Sequence, residues 1–170
     1  MTKGLQLDGS RRPSLQDIVM GGAWLACTKG DDGFCDRGQE VATEAVLAAV
    51  AAGIWAFDTA PLYGHGLRES RLGAALSALP AASAARLRIV TKAGRLLTDN
   101  DDGVLNDFTA DGADRSLSSS LSRLGLSKVH GLRIHDPNDS PERPPEIDEV
   151  GVALGPGGML ERLLQMRSAG

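Results

Sequence analysis

The sequence predicts an α/β fold in which short strands and helices alternate around a parallel sheet. Short apolar runs alternate along the chain with patterns of helical periodicity, as they do in βα units. The 170 residues are 42% apolar and 24% charged, which is typical of one soluble globular domain. Aromatic residues make up only 4%, and this disfavours an all-β sandwich.

The first two βα units are predicted between residues 17 and 79. A strand over residues 17–22 ends on two glycines, and a loop rich in Gly, Asp and Cys follows over residues 29–38. A helix over residues 39–52 has an apolar stripe at helical spacing and ends at Gly53. The stripe is Val41, Ala45, Ala48 and Ala52. A second strand over residues 54–57 precedes a helix over about residues 68–79.

Two more units are predicted after Pro80. A strand over residues 87–92 leads into a long polar loop over residues 93–109, and acidic residues then open a helix, where they complement the helix dipole. That helix would bury Leu117, Leu121 and Leu124, and a fourth strand covers residues 128–134. A Pro- and acid-rich connection leads to a last helix over residues 159–168, which would bury Leu160, Leu163 and Leu164.

Charge and composition limit the classes of partner and compartment. The net charge of −4 comes without a basic stripe, so we expect no nucleic-acid partner. The polar tail over residues 1–16 lacks the apolar core of a signal peptide, and no stretch is long enough to cross a bilayer. Cys27 and Cys35 form neither a disulfide framework nor a CxxC pair. These features favour a cytoplasmic protein without a membrane partner.

Four polar residues stand at or just beyond predicted strand ends. Asp58, Lys92 and His135 each follow an apolar run, and Tyr63 lies in the loop after Asp58. Each has a plainer interpretation: a turn after a strand, a solvated lysine or a structural histidine. In a parallel barrel, however, the carboxyl ends of the strands gather at one mouth, so residues far apart in sequence converge there.

Together the four residues suit the transfer of a hydride to a carbonyl group. A proton donor for the developing alkoxide is needed, but the ordinary pKa of a tyrosine is about 10, which makes proton exchange inefficient at neutral pH. A nearby ammonium group favours the phenolate, and a buried ammonium needs a carboxylate. Tyr63, Lys92 and Asp58 fit these three roles. His135 can orient the carbonyl through a hydrogen bond or assist proton transfer.

Three motifs resemble those of the aldo/keto reductase family, in the family's order. They are the segment over residues 57–73, Val90-Thr91-Lys92-Ala93-Gly94, and Ile134-His135-Asp136-Pro137. The ending His135-Asp136-Pro137 is similar to the branch of dehydrogenases that act on aldoses and pyridoxal. The resemblance implies a catalytic tetrad of Asp58, Tyr63, Lys92 and His135.

The resemblance also implies a fold, a cofactor and a substrate class. The expected fold is a partial (β/α)₈ barrel over residues 17–170, because a closed barrel needs roughly 250 residues. The implied cofactor is NADP(H), bordered by Gly21, Gly22 and Asp58, although the two glycines equally suit a tight turn. The implied substrate is a small carbonyl compound or sugar. No metal is expected, since the acidic loop near residue 100 and the three histidines lack ligand spacing.

Two departures from the family pattern point to a different possibility. Four βα units leave open sheet edges, through which the chain could self-associate or act as a truncated, non-catalytic interaction module. Arg133 precedes His135 by two residues, so strand alternation turns both toward the barrel interior, where an apolar residue is expected. A buried, unpaired guanidinium there would cost several kcal/mol.

Overall fold

The computed structural model describes residues 14–30, 33–98, 103–138 and 147–169. In chain order the strands are β1 (Val19–Gly21), β2 (Cys27–Gly30), β3 (Gly33–Asp36), β4 (Ala56–Asp58), β5 (Arg88–Ala93), β6 (Arg95–Leu97), β7 (Val104–Asn106) and β8 (Gly131–Ile134). The helices are α1 (Gly38–Ala51), α2 (Leu67–Ser77), α3 (Ala81–Ala84), α4 (Ala110–Leu124), α5 (Glu149–Leu154) and α6 (Met159–Ala169).

Four strands form one parallel sheet in the order β1-β4-β5-β8. Each later strand is added beside the previous one, with at least one helix between them in the chain, as in successive βα units. This arrangement confirms the predicted fold class, an α/β partial barrel. The predicted N-terminal tail lies largely outside the described residues, and Leu15–Asp17 forms a turn of 3₁₀ helix, so β1 begins two residues later than predicted.

The sheet has one face covered by helices and one open face. Along β5, Ile89, Thr91 and Ala93 are buried, whereas the alternate residues Arg88, Val90 and Lys92 are exposed or half-buried. Period-two alternation therefore places these last three on the other side of the strand. The parallel register puts Ala56, Asp58 and Arg133 on the same side. We call this side, with Arg88, Val90 and Lys92, the open face.

The covered face packs against an apolar core supplied mainly by α1 and α2. Phe57, Ile89 and Leu72 are at most 3% exposed and belong to the same cluster as Val46 of α1. A second cluster joins α4, α5 and α6 around Phe108 and Met159. The positions on β4 and β5 that face the helices are thus fixed by burial, which leaves their neighbours to face the open side.

The predicted apolar stripes were partly wrong. In α1 the buried residues are Ala42, Val46, Ala49 and Val50, mostly one position beyond the predicted stripe. An alanine-rich helix has little contrast between its faces, so alanine spacing did not fix which face is buried. In α4, Leu124 is buried but Leu117 and Leu121 are only half-buried.

Small residues of α4 pack closest to the sheet instead. Ser116, for example, accepts a hydrogen bond from the backbone N–H of Gly94 at 3.1 Å. In α6 the buried residue is Met159, whereas Leu163 is half-buried and Leu160 and Leu164 are 39% and 44% exposed. The prediction that these three leucines are buried was therefore wrong for two of them.

Segments predicted as loops contain regular structure. β2 and β3 pair as an antiparallel hairpin that overlaps the predicted first loop and begins two residues before it, and β6 and β7 pair likewise within the second. Arg71 of α2 holds the first hairpin through Asp36 at 2.5 Å, and this hydrogen-bonded guanidinium lowers the pKa of Asp36 to about 2. The connection before residue 158 contains α5. Strands of three or four residues give little periodic signal, and the sequence therefore did not predict them.

Candidate active site at the strand ends

The structure places the four predicted site residues together at the carboxyl ends of the parallel strands. Asp58 is the last residue of β4, Lys92 is the next-to-last residue of β5, and His135 directly follows β8. The loop after β4 turns at Pro61 and carries Tyr63 back over the end of β5. Sequence positions separated by up to 77 residues thus meet at one edge of the sheet, as parallel strands require.

Lys92 is the central residue of this group. Its Nζ donates to Asp58 Oδ1 at 2.5 Å, to the backbone oxygen of Thr59 at 3.0 Å and to Tyr63 Oη at 3.1 Å. These three acceptors match the three N–H donors of an ammonium group. The lysine and aspartate side chains are only 13% and 18% exposed. The cation is consequently held in one position, with the phenol oxygen in hydrogen-bond reach.

His135 also contacts the phenol ring. Its ring meets the ring of Tyr63 edge to face, with centroids 5.9 Å apart, and the residue is 4% exposed. Its Nδ1 has no hydrogen-bond partner among the described residues. Burial lowers the pKa of His135 to about 4, opposed by Asp136 and reinforced by the nearby charges of Lys92 and Arg95. The imidazole is therefore neutral at pH 7 and carries a single N–H donor.

The two predicted cofactor glycines have different surroundings. Gly22 is buried against the end of β4: its N–H donates to the oxygen of Asp58 at 2.7 Å, and an added Cβ would lie 2.9 Å from that oxygen. A packing constraint is enough to explain Gly22. Gly21 has open space where a Cβ would stand, and it is paired in register with Asp58. Of the two, Gly21 leaves backbone accessible beside the site.

The expectation that Arg133 is buried and unpaired was wrong. Its side chain is 61% exposed, and its Nη1 donates to Asp58 Oδ2 at 3.1 Å. The guanidinium reaches Asp58 across the open face, from β8 past β5. Because the helices cover only the opposite face, the charge stays hydrated and the desolvation cost does not arise.

Arg95, which was not among the predicted site residues, belongs to the surroundings of His135. Arg95 is 7% exposed at the start of β6, and its charge is one of the causes that lower the pKa of His135. Gly94, with φ of +108°, turns the chain between β5 and β6 and so brings Arg95 back toward the strand ends. A charged residue three positions after Lys92 was the available signal, but arginine is rarely buried, so exposure was the natural expectation.

A large cavity in the described part of the chain lies away from these residues. It has a volume of about 750 Å³ and is lined by Leu76, Leu87, Leu124 and His130, at the opposite end of the strands. The strand-end residues do not line it, because the open face is an uncovered surface and not an enclosed space. We therefore identify the candidate site from the convergence of side chains and not from cavity size.

The described residues contain no group of three or more His, Cys, Asp or Glu side chains that could hold a metal ion. Among the helices that the structure describes, none is both long and apolar enough to span a bilayer.

The family comparison identifies relatives for most of the chain. Residues 18–161 match the model of the aldo/keto reductase family. D-threo-aldose 1-dehydrogenase from Pseudomonas sp. is 43% identical over 53% of this chain and 32% of its own length. Pyridoxal 4-dehydrogenase from Microbacterium luteolum is 32% identical over 70% of this chain and 40% of its own. The chain thus spans well under half the length of these curated relatives.

Solved structures show the same fold. The structure of PA4992 from Pseudomonas aeruginosa matches with a TM-score of 0.62 at 24% identity, covering 89% of this chain and 50% of that one. Glycerol dehydrogenase from Gluconobacter oxydans matches with a TM-score of 0.53 at 27% identity, covering 69% of this chain and 34% of that one.

Proposed function

The chain belongs to the aldo/keto reductase family, and on that premise we propose that it carries the proton-transfer residues of an NADP(H)-dependent oxidoreductase. The proposed substrates are small aldehydes and sugars, interconverted with their alcohol or lactone counterparts. The observation that carries this proposal is the hydrogen bond of 3.1 Å between Lys92 Nζ and Tyr63 Oη, with Lys92 itself paired to Asp58. A phenol beside a fixed cation is suited to exchange a proton with an alkoxide.

Tyr63 would act as the general acid during carbonyl reduction. A nicotinamide cofactor, when bound, supplies a hydride to the carbonyl carbon during reduction and accepts one from the alcohol carbon during oxidation. The phenol of Tyr63 gives its proton to the carbonyl oxygen as the C=O double bond becomes a C–O single bond. In the direction of oxidation, the phenolate takes the hydroxyl proton back.

Lys92 and Asp58 would support the charge changes of Tyr63. The ammonium stabilises the phenolate left after proton transfer, because opposite charges at hydrogen-bond distance attract strongly in a partly dry site. Asp58 and the Thr59 oxygen satisfy the other two Lys92 donors. The lysine therefore does not need to move when the phenol loses its proton, which keeps the geometry ready before reaction.

His135 would orient the substrate. Because burial keeps the imidazole neutral at pH 7, it can donate one hydrogen bond to a carbonyl oxygen without adding a second full charge. The contact between its ring and that of Tyr63, with centroids 5.9 Å apart, supports a shared role for the two residues. In this proposal one carbonyl oxygen accepts a hydrogen bond from His135 and the proton from Tyr63.

Two of the three predicted cofactor residues, Gly21 and Asp58, suit the nicotinamide end of the cofactor. Gly21 has open space on the side where an added Cβ would stand, so an aromatic ring could approach its backbone, and Asp58 borders the same place. Gly22 keeps the end of β1 close to β4 and would act on the cofactor only indirectly. The choice of NADP over NAD, the sugar or aldehyde bound and a cytoplasmic setting are part of this proposal. The free cysteines Cys27 and Cys35 agree with a reducing compartment.

The test is a fluorescence titration of the chain with NADPH, followed by reduction assays with aldehydes and aldoses. We expect saturable binding by the wild type and by Tyr63→Phe, and turnover by the wild type alone. Binding without any loss of turnover in Tyr63→Phe would contradict the assignment of the acid. A folded sample that binds no NADPH would contradict the proposed function and favour the non-catalytic interaction module.

Self-association is a separate part of the proposal. In the described sheet, β1 and β8 each have one paired neighbour, so each offers an unpaired backbone edge. Sedimentation over a wide range of protein concentration would test this, with a concentration-dependent rise in mass as the expected result. A constant monomer mass would remove self-association from the proposal.

A further inference from the structure

Asp58 is shared between two cations, one on each carboxylate oxygen. Lys92 binds Oδ1 at 2.5 Å, and Arg133 binds Oδ2 at 3.1 Å. Lys92 and Arg133 are direct register partners on β5 and β8. Neighbouring strands therefore deliver two positive side chains to the open face at the same level, with a single carboxylate between them.

The shared carboxylate changes the charge beside Tyr63. Asp58 and Lys92 alone form a neutral pair, whereas the three side chains together carry one excess positive charge. The phenol oxygen lies 3.1 Å from Lys92 Nζ, so it experiences this excess at short range. Arg133 changes the electrostatic potential at the phenol because its positive charge offsets the negative charge on Asp58, which otherwise opposes Lys92. Interactions between charges act over several ångströms, so Arg133 does not need to touch Tyr63.

The charges of Asp136 and Arg95 lie near His135 and have opposite signs, so together they add no net charge there. From the end of β8, His135 is neutral at pH 7, and Asp136 is an exposed carboxylate whose Oδ2 lies 3.7 Å from the imidazole Nε2. From β6, Arg95 adds a further positive charge near His135. His65, two residues beyond Tyr63, belongs to the same loop as the phenol.

Stability gives little reason for an arginine at this position. Its side chain is 61% exposed, and ion pairs between exposed groups contribute little to the free energy of unfolding. An arginine that stabilises the fold so weakly can still act through its electrostatic potential, which falls off slowly with distance compared with packing.

We infer that Arg133 is a positioning residue that holds the second oxygen of Asp58 and leaves the Lys92 ammonium less neutralised, so that the phenolate form of Tyr63 is favoured. The inference rests on the proposed function for its catalytic meaning, since phenolate matters only if Tyr63 transfers a proton. The effect of Arg133 on the phenolate fraction of Tyr63 can be measured in the folded chain without substrate or cofactor.

The experiment uses the single tyrosine of the chain. Because there is no other phenol, the ultraviolet absorbance of phenolate reports on Tyr63 alone. We compare the wild type with Arg133→Gln in low salt, at a pH at which the wild type shows both phenol and phenolate. The expected phenolate-to-phenol ratio is lower by about threefold in Arg133→Gln, as an exposed charge several ångströms away would produce. Circular dichroism at the same pH verifies that each variant is folded.

Two further variants separate charge from other effects. Arg133→Lys keeps a positive charge and should stay closer to the wild type than Arg133→Gln does. Arg88→Gln removes the same charge from the same face, four residues before Lys92 on β5, and should change the ratio less. The difference between wild type and Arg133→Gln should also shrink as salt is added, because salt screens exposed charges.

Three outcomes would overturn the inference: equal phenolate fractions in wild type and Arg133→Gln, an equal loss in Arg88→Gln, or a difference that salt does not reduce. None of these depends on turnover. A failure to bind NADPH or to reduce a carbonyl would count against the proposed function and leave the result of the phenol titration standing.

Discussion

Lys92 and Asp58 form an ion pair of 2.5 Å between adjacent parallel strands, and the pair is largely shielded from water. Asp58 ends β4 at the level of Val90, so Lys92 emerges one pleat beyond it on the same face and its side chain reaches back. A lysine near a strand end normally extends into solvent. Here the carboxylate draws it across the sheet toward the loop that carries Tyr63.

Asp58→Asn should destabilise the fold. The amide leaves both Lys92 and Arg133 without a negative partner, and Lys92 is only 13% exposed, so its charge is poorly hydrated. We expect a loss of about 1–3 kcal/mol in the free energy of unfolding. Urea unfolding followed by circular dichroism measures it.

Asp114→Asn provides the matched control. Its partner is Arg162 at 2.8 Å, and both side chains are about a third to a half exposed, which makes this a surface pair. A cost of at most about 1 kcal/mol is expected there. If the two asparagine variants lost equal stability, the pairing of Lys92 would not be the reason for the effect.

The parallel sheet and the convergence of the site were predictable, because both depend on strand ends. Apolar runs locate the strands, and in a parallel sheet their carboxyl ends must lie on one edge. Asp58, Lys92 and His135 can therefore be placed together without any knowledge of distances. The partner of Arg133 was not predictable in this way. It depends on the register between β5 and β8, which a single sequence does not give.

The sequence also did not predict where the backbone at a glycine packs directly against a neighbouring element. At Gly73 an added Cβ would lie 2.5 Å from the backbone oxygen of Leu124, so α2 and α4 touch through their main chains. At Gly94 it would lie 2.2 Å from the ring of Phe108. Such contacts depend on how helices pack after the strands are in place, and periodicity carries no information on that distance.

Glu69→Gln should destabilise the fold more than most single substitutions. Glu69 is fully buried and accepts from Thr91 Oγ1 at 2.5 Å and from Arg123 Nε at 2.6 Å. These bonds tie α2 to β5 and α4. Removing the negative charge leaves the arginine uncompensated, at an expected cost of about 2–4 kcal/mol in urea unfolding.

A double-mutant cycle tests the cause of that cost. Arg123→Met alone leaves the carboxylate buried without its cation, and it should also destabilise the fold. In the double variant neither charge remains, so its loss should be smaller than the sum of the two single losses. Additive losses would show that the two residues act independently and would refute the pair as the source.

Gly22→Ala and Gly21→Ala should differ although the residues are neighbours. A Cβ at Gly22 would lie 2.9 Å from the Asp58 oxygen and 3.3 Å from the Thr59 side chain, whereas a Cβ at Gly21 meets nothing within 4 Å. We expect Gly22→Ala to cost about 1–3 kcal/mol through overpacking and Gly21→Ala to cost well under 1 kcal/mol.

The same two variants separate packing from cofactor binding. If Gly21 borders the cofactor, Gly21→Ala should weaken NADPH binding while the thermal midpoint stays near that of the wild type. Unchanged NADPH affinity in Gly21→Ala would remove Gly21 from the proposed cofactor site. Equal stability of the two alanine variants would contradict the packing explanation of Gly22.

The dependence of stability on pH should change in His135→Gln. Burial lowers the pKa of His135 from 6.5 to about 4 in the folded chain. Between these two values the unfolded chain binds more protons than the folded one, so the stability of the wild type falls as the pH decreases from 6.5 toward 4. Glutamine does not titrate, and the variant should lose less stability over that range, by about 1–2 kcal/mol between pH 6.5 and pH 5.

The range of pH 5 to 6.5 lies above that in which the two carboxylates with lowered pKa values lose their contribution. A hydrogen bond from Arg71 lowers the pKa of Asp36, and at Asp107 the effect of burial is outweighed by hydrogen bonds from Thr109 and Arg115, which lower its pKa. Their contributions are therefore lost only at more acidic pH. His135→Asn, which does not titrate either, should show the same reduced slope as His135→Gln in urea titrations at each pH. If His135→Gln kept the slope of the wild type, the imidazole would not be held neutral by burial, and its role as an uncharged donor to a carbonyl would have to be abandoned.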